Sequence, residues 1–232
     1  MTDLHTHILP GMDDGAKNVE ESLALLALER EQGVDTVVLT PHFYRNRENP
    51  AHFFERRKKA EETLREALAA HPELPAVKCG AEVAWWPGLA DCDDLGELCI
   101  EGTKTLLVEL PFTPWSERMI SGLYDLMGRT GVTPVLAHLE RYLKLQSAEL
   151  VRGVLELGVP VQVSGDVLLK FFERGPAMKL LKANDAQLIA SDCHNTVSRV
   201  PNLGDAMAVA EKKLGRERAA QILRAADRLA GV

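Results

Sequence analysis

Residue types that bind metal ions stand at, or just past, the ends of predicted strands along this whole chain. Five histidines, two glutamates and one aspartate are placed in this way: His5, His7, His42, Glu82, Glu109, His138, Asp192 and His194. Successive side chains on a strand point to opposite faces, so the first two of these residues share a face, and so do the last two. If the strands are parallel, all these ends lie on one side of the sheet, where imidazoles and carboxylates can converge on a multi-metal site.

Seven short apolar or β-branched runs alternate with helical patterns. The predicted strands cover residues 2–6, 35–40, 76–83, 104–109, 133–137, 160–164 and 187–191. The first predicted helix begins after Asn18, which can cap it together with Glu21, and ends at Gly33. The other predicted helices cover residues 50–70, 116–130, 146–157, 175–184, 203–214 and 216–230. Residues 86–102 are the least regular and are predicted to form a long loop with a helical turn.

Strands that alternate with helices at this spacing indicate a parallel α/β fold with crossover helices. An open doubly wound sheet builds its site from two or three strands at one switch point, whereas a barrel builds it from nearly every strand. Six of the seven predicted strand ends supply a candidate ligand, which favours a distorted (β/α)7 barrel similar to a TIM barrel. No linker or repeat interrupts the chain, so residues 1–232 are predicted to form a single domain.

The composition limits the partners and the compartment. The formal net charge of -7 argues against a nucleic-acid surface, because such surfaces are usually basic. The four cysteines form no Cys-x-x-Cys pair, and with no secretory signal they are predicted to be free thiols. No apolar run is long enough to span a bilayer. The sequence therefore predicts a cytoplasmic protein without nucleic acid or stable membrane insertion, and it assigns no oligomeric state.

A tight loop, Asp13-Asp14-Gly15, follows the first predicted strand. This composition favours a simple turn, and it also allows Asp14 to fold back as a ninth ligand. Nine ligands exceed the needs of one or two ions, so three ions with bridging carboxylates fit the count better. Imidazoles and carboxylates without thiolates suit Mn²⁺, Zn²⁺ or Fe²⁺. Clustered divalent ions activate water and clamp phosphoryl oxygens, which makes phosphoester hydrolysis the expected chemistry.

The candidate ligands lie in five short motifs: His5-x-His7, Thr40-Pro41-His42, Gly80-Ala81-Glu82, Ala137-His138 and Ser191-Asp192-x-His194. These motifs resemble those of the PHP (polymerase and histidinol phosphatase) superfamily. Three longer motifs are His5-Thr-His7-Ile-Leu-Pro-Gly-Met-Asp-Asp14-Gly, Leu107-Val-Glu109-Leu-Pro and His138-Leu-Glu-Arg141-Tyr. They resemble the PHP-type protein tyrosine phosphatases of bacterial capsule and exopolysaccharide operons, and the resemblance covers nearly the whole chain.

The resemblance implies a distorted (β/α)7 barrel holding three divalent metal ions, with Mn²⁺ favoured over Fe²⁺ or Zn²⁺. It implies a first ion held by His5, His7, Glu82 and Asp192, a second by Glu82, Glu109 and His138, and a third by Asp14, His42 and His194. Arg141 and Arg199 would grip phosphate oxygens, and with Asp192 and His194 they form the implied catalytic set. The implied substrate is a phosphotyrosine protein, namely the tyrosine-rich tail of a bacterial capsule-type autokinase.

Two positions depart from the family pattern. The sixth predicted strand ends in Gln162-Val-Ser164-Gly-Asp166, where an Asn-Ala ending is expected. Cys193 stands where relatives commonly have a small residue. Neither departure removes a ligand, although the first can alter the wall of the pocket.

Aromatic residues lie within a few positions of the ligand-bearing strand ends: Phe43, Tyr44, Trp85, Trp86, Phe112, Trp115 and Tyr142. They either ring the mouth of the site and stack on an aryl substrate, or they pack the loops against one another. The sequence favours neither interpretation over the other. The neighbouring Arg45 and Arg47 are placed to attract an acidic phosphopeptide.

Three other functions compete with a metal-dependent tyrosine phosphatase. Cys193 and Arg199 have the Cys-x5-Arg spacing of thiolate tyrosine phosphatases, but the stretch between them has no glycine to build a phosphate-binding loop. A histidinol-phosphate phosphatase, a nuclease or another PHP phosphoesterase would use the same metal site, although the acidic net charge and the Asp-Asp-Gly motif speak against the first two. A metal-binding regulatory barrel without activity has no support, since the ligand set looks complete.

Overall fold

Every strand pairing in the protein is parallel. The computed structural model describes residues 1–232. The strands are β1 (Thr2–Thr6), β2 (Thr36–Leu39), β3 (His42–Phe43), β4 (Ala76–Cys79), β5 (Glu82–Ala84), β6 (Thr105–Glu109), β7 (Thr133–Leu136), β8 (Gln162–Ser164) and β9 (Leu188–Ala190). The helices are α1 (Val19–Glu31), α2 (Pro50–Leu68), α3 (Leu95–Leu98), α4 (Glu117–Thr130), α5 (Ala148–Glu156), α6 (Gly165–Leu169), α7 (Gly175–Ala183), α8 (Leu203–Leu214) and α9 (Arg216–Ala230). Two 3-10 helices cover Leu89–Asp91 and Leu139–Arg141.

The strands form three sheets, with the orders β1-β2-β4, β3-β5-β6-β7 and β8-β9. Isolated parallel bridges lie between these sheets. Leu136 at the end of β7 pairs with Val161 just before β8, and Thr6 at the end of β1 pairs with Cys193 just after β9. These bridges connect the second sheet to the third and the third sheet to the first.

The structure divides one predicted strand region and adds a short strand that was not predicted. The run predicted as 35–40 contains β2, and a further strand, β3, follows the break at Thr40-Pro41. The run predicted as 76–83 is β4 and the beginning of β5, separated by Gly80-Ala81. Pro41 has no N–H to donate to a neighbouring strand. The prediction of one unbroken strand over 76–83 is therefore wrong, whereas parallel strands alternating with helices are confirmed.

The longer predicted helices are confirmed to within a few residues at their ends, and the helical turn predicted within 86–102 is present as a 3-10 turn and α3. Asn18 caps α1, because its side chain accepts a hydrogen bond from Glu21 N at 2.9 Å. The Glu21 side chain in turn accepts from Lys17 N at 3.0 Å. The short helix α6 was not predicted. None of the helices has both the length and the apolar character needed to cross a bilayer.

A small apolar cluster draws on strands from all three sheets. It contains Leu4, Val38, Leu107, Val135 and Leu188 from the strands, Ile100 and Ala137 beside them, and Ala225, Ala226, Leu229 and Ala230 from α9. A larger apolar cluster joins the strands to α1, α2, α4 and α8. Burial of apolar surface contributes roughly 25 cal/mol per Å². Packing on both clusters therefore fixes the strands relative to one another and places their carboxyl ends together.

Candidate metal centre

The nine predicted ligands form one connected cluster at the carboxyl ends of the strands, with the Glu82 carboxylate at its centre. Glu82 oxygens lie 2.9 Å from His42 Nδ1 and from His138 Nε2. The same carboxylate lies 3.3 Å from the Nε2 atoms of both His5 and His7. Glu82 is buried, so these four imidazoles rather than water surround it. It occupies the position that a bridging carboxylate requires.

Within the cluster, three groups of side chains present ligand atoms that lie within 4.8 Å of one another. They are His5/His7/Asp192, His7/Asp14/His42/His194 and His42/Glu82/Glu109. His138 is the one predicted ligand outside these groups, although its Nε2 lies 2.9 Å from Glu82 and 3.7 Å from Glu109. The structure thus brings all nine residues together, and their assignment to individual ions stays a prediction.

Several buried atoms of the cluster have no hydrogen-bond partner in the protein. Glu82 Oε2 and His194 Nε2 are two of them. Unpaired buried polar atoms are rare in folded proteins because each one is costly. A cation coordinated by these atoms would remove that cost. The donor set consists of nitrogen and oxygen atoms without thiolate sulfur, so the residues fit divalent ions of the Mn²⁺, Fe²⁺ or Zn²⁺ type.

The protonation of the cluster is set by burial and by its own charges. Burial alone would raise the pKa of Glu82, but the charge of His5 and the hydrogen bond from His138 hold that pKa well below its usual value. Burial lowers the pKa of His138, and it lowers that of His194 to about 4. Burial would also lower the pKa of His5 and His7, but neighbouring carboxylates raise both. Because metal binding requires deprotonated ligands, cations bound here displace protons mainly from this last pair.

The backbone is strained at two predicted ligands. His138 and Asp192 have left-handed conformations, with φ of 35° and 54°. Non-glycine residues rarely adopt this region, and those that do cluster at functional sites. The pairing of β1 with β2 is also irregular between Asp3 and Thr6, and bulges of this kind re-aim side chains beside active sites. Local strain and irregularity thus accompany the convergence of the ligands.

Asp13 is a supporting residue that the sequence did not identify. Its Oδ2 lies 2.7 Å from His7 Nδ1 and accepts a hydrogen bond from His42 N at 2.9 Å. Burial would raise the pKa of Asp13, but the hydrogen bond and charge of His7 lower it, so the carboxylate is ionised at neutral pH. A carboxylate that holds the far nitrogen of a metal-binding imidazole fixes its orientation and tautomer. The only sequence signal was its adjacency to Asp14.

Asp14 itself folds back over the cluster, in line with the second interpretation of the Asp-Asp-Gly loop. Its Oδ1 lies 3.5 Å from His194 Nε2 and 3.7 Å from His42 Nε2. The loop can turn this closely because of Gly15, where an added Cβ would lie only 1.9 Å from the His7 carbonyl oxygen. The same loop therefore makes the tight turn and presents Asp14 to the cluster.

Gln162, at the start of β8, supports two predicted ligands. Its Oε1 accepts a hydrogen bond from His138 N at 2.8 Å and lies 3.3 Å from His5 Nδ1. The sequence marked this strand end only as a departure from the family pattern. In the structure the Gln162 Oε1 atom orients the His5 imidazole and holds the backbone of His138.

Arg141 and Arg199 lie at the edge of the cluster, and both bind Asp192. Arg199 Nη2 donates to both oxygens of Asp192 at 2.9 Å. Arg141 Nη2 donates to Asp192 and, at 3.4 Å, to Ser164 Oγ. The two arginine side chains are 36% and 37% exposed, so an anion can reach them from solution. Paired guanidinium groups of this kind match the oxygens of a phosphoryl group.

Cys193 is positioned wrongly for a thiolate nucleophile. Its side chain is fully buried, and its Sγ lies 3.4 Å from Glu29 Oε1. Burial, together with the charges of Glu29 and Asp3, raises the pKa of the Cys193 thiol well above its usual value. Catalytic cysteines need the opposite, an accessible thiol with a lowered pKa. These observations oppose the Cys-x5-Arg alternative.

We expect Cys193→Ser to keep most of the phosphatase activity, within a factor of about ten, since losing a true nucleophile would cost several orders of magnitude. The measurement is kcat/KM on an aryl phosphate at matched metal content. Cys92→Ser, at a half-buried cysteine outside the cluster, is the control for handling and oxidation. Isolation of a phosphorylated Cys193 would contradict this expectation.

The aromatic residues near the strand ends divide into two sets. Phe43, Trp115 and Tyr142 are buried and pack the loops together. The other four remain partly accessible: Tyr44, Trp85, Trp86 and Phe112. Each of the two interpretations left open by the sequence therefore applies to part of the set.

His52, at the start of α2, lines a polar cavity next to Asp14 and His42, a location that the sequence did not indicate.

Comparisons with known proteins find one matching family model and relatives that align over nearly the whole chain. The family model described as capsular polysaccharide synthesis, CpsB/CapC, matches residues 1–228. The tyrosine-protein phosphatase CpsB of Streptococcus pneumoniae is 31% identical over 238 residues, which cover 96% of this chain and 94% of the relative. The tyrosine-protein phosphatase YwqE of Bacillus subtilis (strain 168) is 30% identical over 228 residues, which cover 94% of this chain and 86% of the relative.

Solved structures extend the similarity to three dimensions. One match comes from the crystal structures of YwqE from Bacillus subtilis and CpsB from Streptococcus pneumoniae, described as unique metal-dependent tyrosine phosphatases. It has a TM-score of 0.87 and 29% identity, and it covers 100% of this chain and 94% of the other. A beta-aspartyl dipeptidase from Fervidobacterium islandicum AW-1 shares the fold alone, with a TM-score of 0.56, 16% identity and coverage of 99% and 74%. The resemblance drawn from the motifs is thereby confirmed, and the chain belongs to the capsular polysaccharide synthesis family CpsB/CapC.

Proposed function

We propose that this chain is a metal-dependent protein-tyrosine phosphatase that acts in the regulation of capsular or exopolysaccharide synthesis. The observation that carries the proposal is the cluster of nine residues with nitrogen and oxygen ligand atoms, centred on Glu82, with two accessible arginines at its edge. The relatives named as tyrosine-protein phosphatases, which match over nearly the full length of the chain, support the same activity.

We propose that the cluster holds three divalent ions, with Mn²⁺ first and Fe²⁺ or Zn²⁺ as alternatives. The ligands would be His5, His7, Asp14, His42, Glu82, Glu109, His138, Asp192 and His194. When bound, such ions act as Lewis acids that polarise phosphoryl oxygens and lower the pKa of water. Asp13 orients the His7 imidazole and Gln162 that of His5, and Arg141 and Arg199 bind and orient the phosphoryl oxygens of the substrate.

We also propose that residues 1–232 form a single domain and that its strands close into a distorted (β/α)7 barrel. The two bridges between sheets, at Leu136–Val161 and Thr6–Cys193, support closure. So does the apolar cluster that takes residues from strands of all three sheets. A cytoplasmic location is proposed because the four cysteines are free, as is usual in a reducing compartment.

The proposed substrate is a phosphotyrosine protein, and the tail of a bacterial tyrosine autokinase is its most specific form. A disordered tail can thread into a site at the carboxyl ends of strands, at an entropic cost that keeps its affinity modest. The relatives' names specify tyrosine phosphatases, which supports the phosphotyrosine class.

The test compares kcat/KM for a phosphotyrosine peptide, a phosphoserine peptide and histidinol phosphate under identical metal loading. We expect the phosphotyrosine peptide to be hydrolysed much faster than the other two. We also expect chelation to abolish the activity and Mn²⁺ or a similar ion to restore it. Full activity in protein verified to be free of metal would overturn the proposed chemistry. A preference for histidinol phosphate would instead assign the chain a role in amino-acid biosynthesis, and the proposed metal centre would stand unchanged.

A further inference from the structure

The four accessible aromatic residues line one cavity beside the metal centre. This aromatic cavity has a volume of about 380 Å³. Its lining also includes Glu109, a predicted metal ligand, and the unpaired Arg45. Tyr44, Trp85, Trp86 and Phe112 supply its aromatic side chains. An aromatic, partly apolar cavity that opens directly onto a metal ligand has the composition of a small-molecule binding site.

The walls of the aromatic cavity are held in place by the protein behind them. An added Cβ at Gly122 in α4 would lie 3.2 Å from Trp85 Cζ2, so the indole packs closely on this glycine. The Trp86 ring meets the buried Phe43 ring edge-on, with centroids 6.1 Å apart. These contacts restrict both indoles before any ligand enters. A preformed wall loses little side-chain entropy on binding.

Phe112 connects the aromatic cavity to the metal centre. Its ring stacks on the imidazole of His138 with a centroid distance of 6.2 Å, and it lies 4.9 Å from the buried Tyr142 ring. The Phe112 side chain is 51% exposed, so part of its surface is open to a ligand. A ring bound beside Phe112 would therefore carry its substituent toward His138 and Glu109.

Tyr44 lines both the aromatic cavity and a second, polar cavity. Its hydroxyl lies 3.2 Å from His42 Nδ1 and donates to Glu109 Oε2 at 3.3 Å. The polar cavity has a volume of about 690 Å³, and its lining is Met12, Asp13, Asp14, His42, Tyr44, Arg47, Glu48, His52 and Arg56. This lining is mostly charged, so it offers an aryl ring no apolar wall to match that of the aromatic cavity.

We propose that the aromatic cavity is the subsite for the aryl ring of the substrate, and that Trp86 and Phe112 determine the preference for aryl over alkyl phosphates. The inference rests on the proposed phosphatase function. A ring attached through one oxygen to a phosphoryl group at Glu82 and Glu109 reaches the aromatic cavity directly. Stacking on Phe112 and edge contacts with Trp86 favour it there. A serine phosphate, which has no ring, leaves these surfaces exposed to water.

The test uses two non-hydrolysable probes, phenylphosphonate and methylphosphonate, as competitive inhibitors of the metal-loaded enzyme. We expect the wild type to bind phenylphosphonate roughly tenfold more tightly or better, since an aromatic pocket contact typically gives this order of discrimination. Phe112→Ala and Trp86→Ala should reduce the ratio of the two inhibition constants toward one. Trp86→Phe, which keeps an aromatic wall, should retain most of the preference. Phe172→Ala removes a 96% exposed ring outside the aromatic cavity and is the matched control.

Tryptophan fluorescence gives a second measurement that does not depend on turnover. Two of the three tryptophans line the aromatic cavity, so phenylphosphonate but not methylphosphonate should change the emission. An unchanged inhibition ratio in both alanine variants would overturn the proposal, as would equal fluorescence responses to the two probes. Failure of the proposed function is a separate result: the wild type would then hydrolyse no phosphotyrosine peptide, whatever its probe preference.

Discussion

Glu82→Gln is expected to lose bound metal and to lower kcat/KM by roughly 10³-fold or more. The expected size follows from the several kcal/mol that metal ions contribute to stabilising a phosphoryl transition state, at about 1.4 kcal/mol for each tenfold change in rate. The amide keeps the size of the carboxylate but removes its charge from the midst of four imidazoles. Metal content after dialysis against Mn²⁺, with kcat/KM on a phosphotyrosine peptide, measures both effects.

Glu109→Gln is the matched comparison for this variant. Glu109 also stands at a strand end, but its carboxylate lies at the edge of the cluster, 3.7 Å from His138 Nε2 and within reach of the Tyr44 hydroxyl. We therefore expect it to lose less metal than Glu82→Gln. Circular dichroism of both variants checks that the fold is kept. A full metal complement in Glu82→Gln would contradict the proposed role of Glu82 as a bridging carboxylate.

The convergence of these nine residues could be predicted from sequence, because the carboxyl ends of successive parallel strands lie side by side in space. Eight of the nine residues stand at, or just past, the end of an apolar run, and the carboxyl ends of parallel strands meet on one side. The prediction therefore needed only the strand pattern and the residue types at His5, Glu82 and Asp192. The left-handed backbone at Asp192 was not visible in that pattern, because aspartate tolerates it without any glycine to signal it.

The supporting residues were harder to predict because their roles depend on loop geometry. Asp13 and Asp14 are adjacent and chemically identical, yet one holds His7 from behind while the other faces His42 and His194. The turn that separates them depends on the close packing of Gly15 on the carbonyl of His7. Sequence spacing carries no information on such a contact.

The aromatic residues show a similar limit. Phe43 and Tyr44 are neighbours after β2, but Phe43 is buried against Phe53 while Tyr44 faces the metal centre. Strand alternation separates the two faces, and the break at Thr40-Pro41 fixes which face each residue takes. The position of that break was not predicted. The sequence therefore indicated an aromatic cluster, but it did not indicate which aromatic residues are packed and which are accessible.

Arg141→Lys is expected to lower turnover by roughly 10²–10³-fold, by analogy with removal of one oxyanion-hole donor. Lysine keeps the positive charge but not the planar, forked geometry that lets arginine contact two oxygens at once. Arg141 lies beside Asp192 and Ser164 at the accessible edge of the cluster, where phosphoryl oxygens would arrive. The measurement is kcat and KM on a phosphotyrosine peptide, with metal content determined on the same sample.

The metal determination matters because Arg141 also binds Asp192, a predicted ligand. A loss of turnover with metal content unchanged assigns the arginine to the substrate, whereas a parallel loss of metal assigns it to Asp192. Arg129→Lys is the matched control, since Arg129 is an exposed arginine of α4 that pairs with Asp91 at the surface. Arg199→Lys should show the same pattern as Arg141→Lys, because Arg199 donates to both Asp192 oxygens. Full turnover in Arg141→Lys would contradict a role in binding phosphate and would show that Arg141 only stabilises its loop.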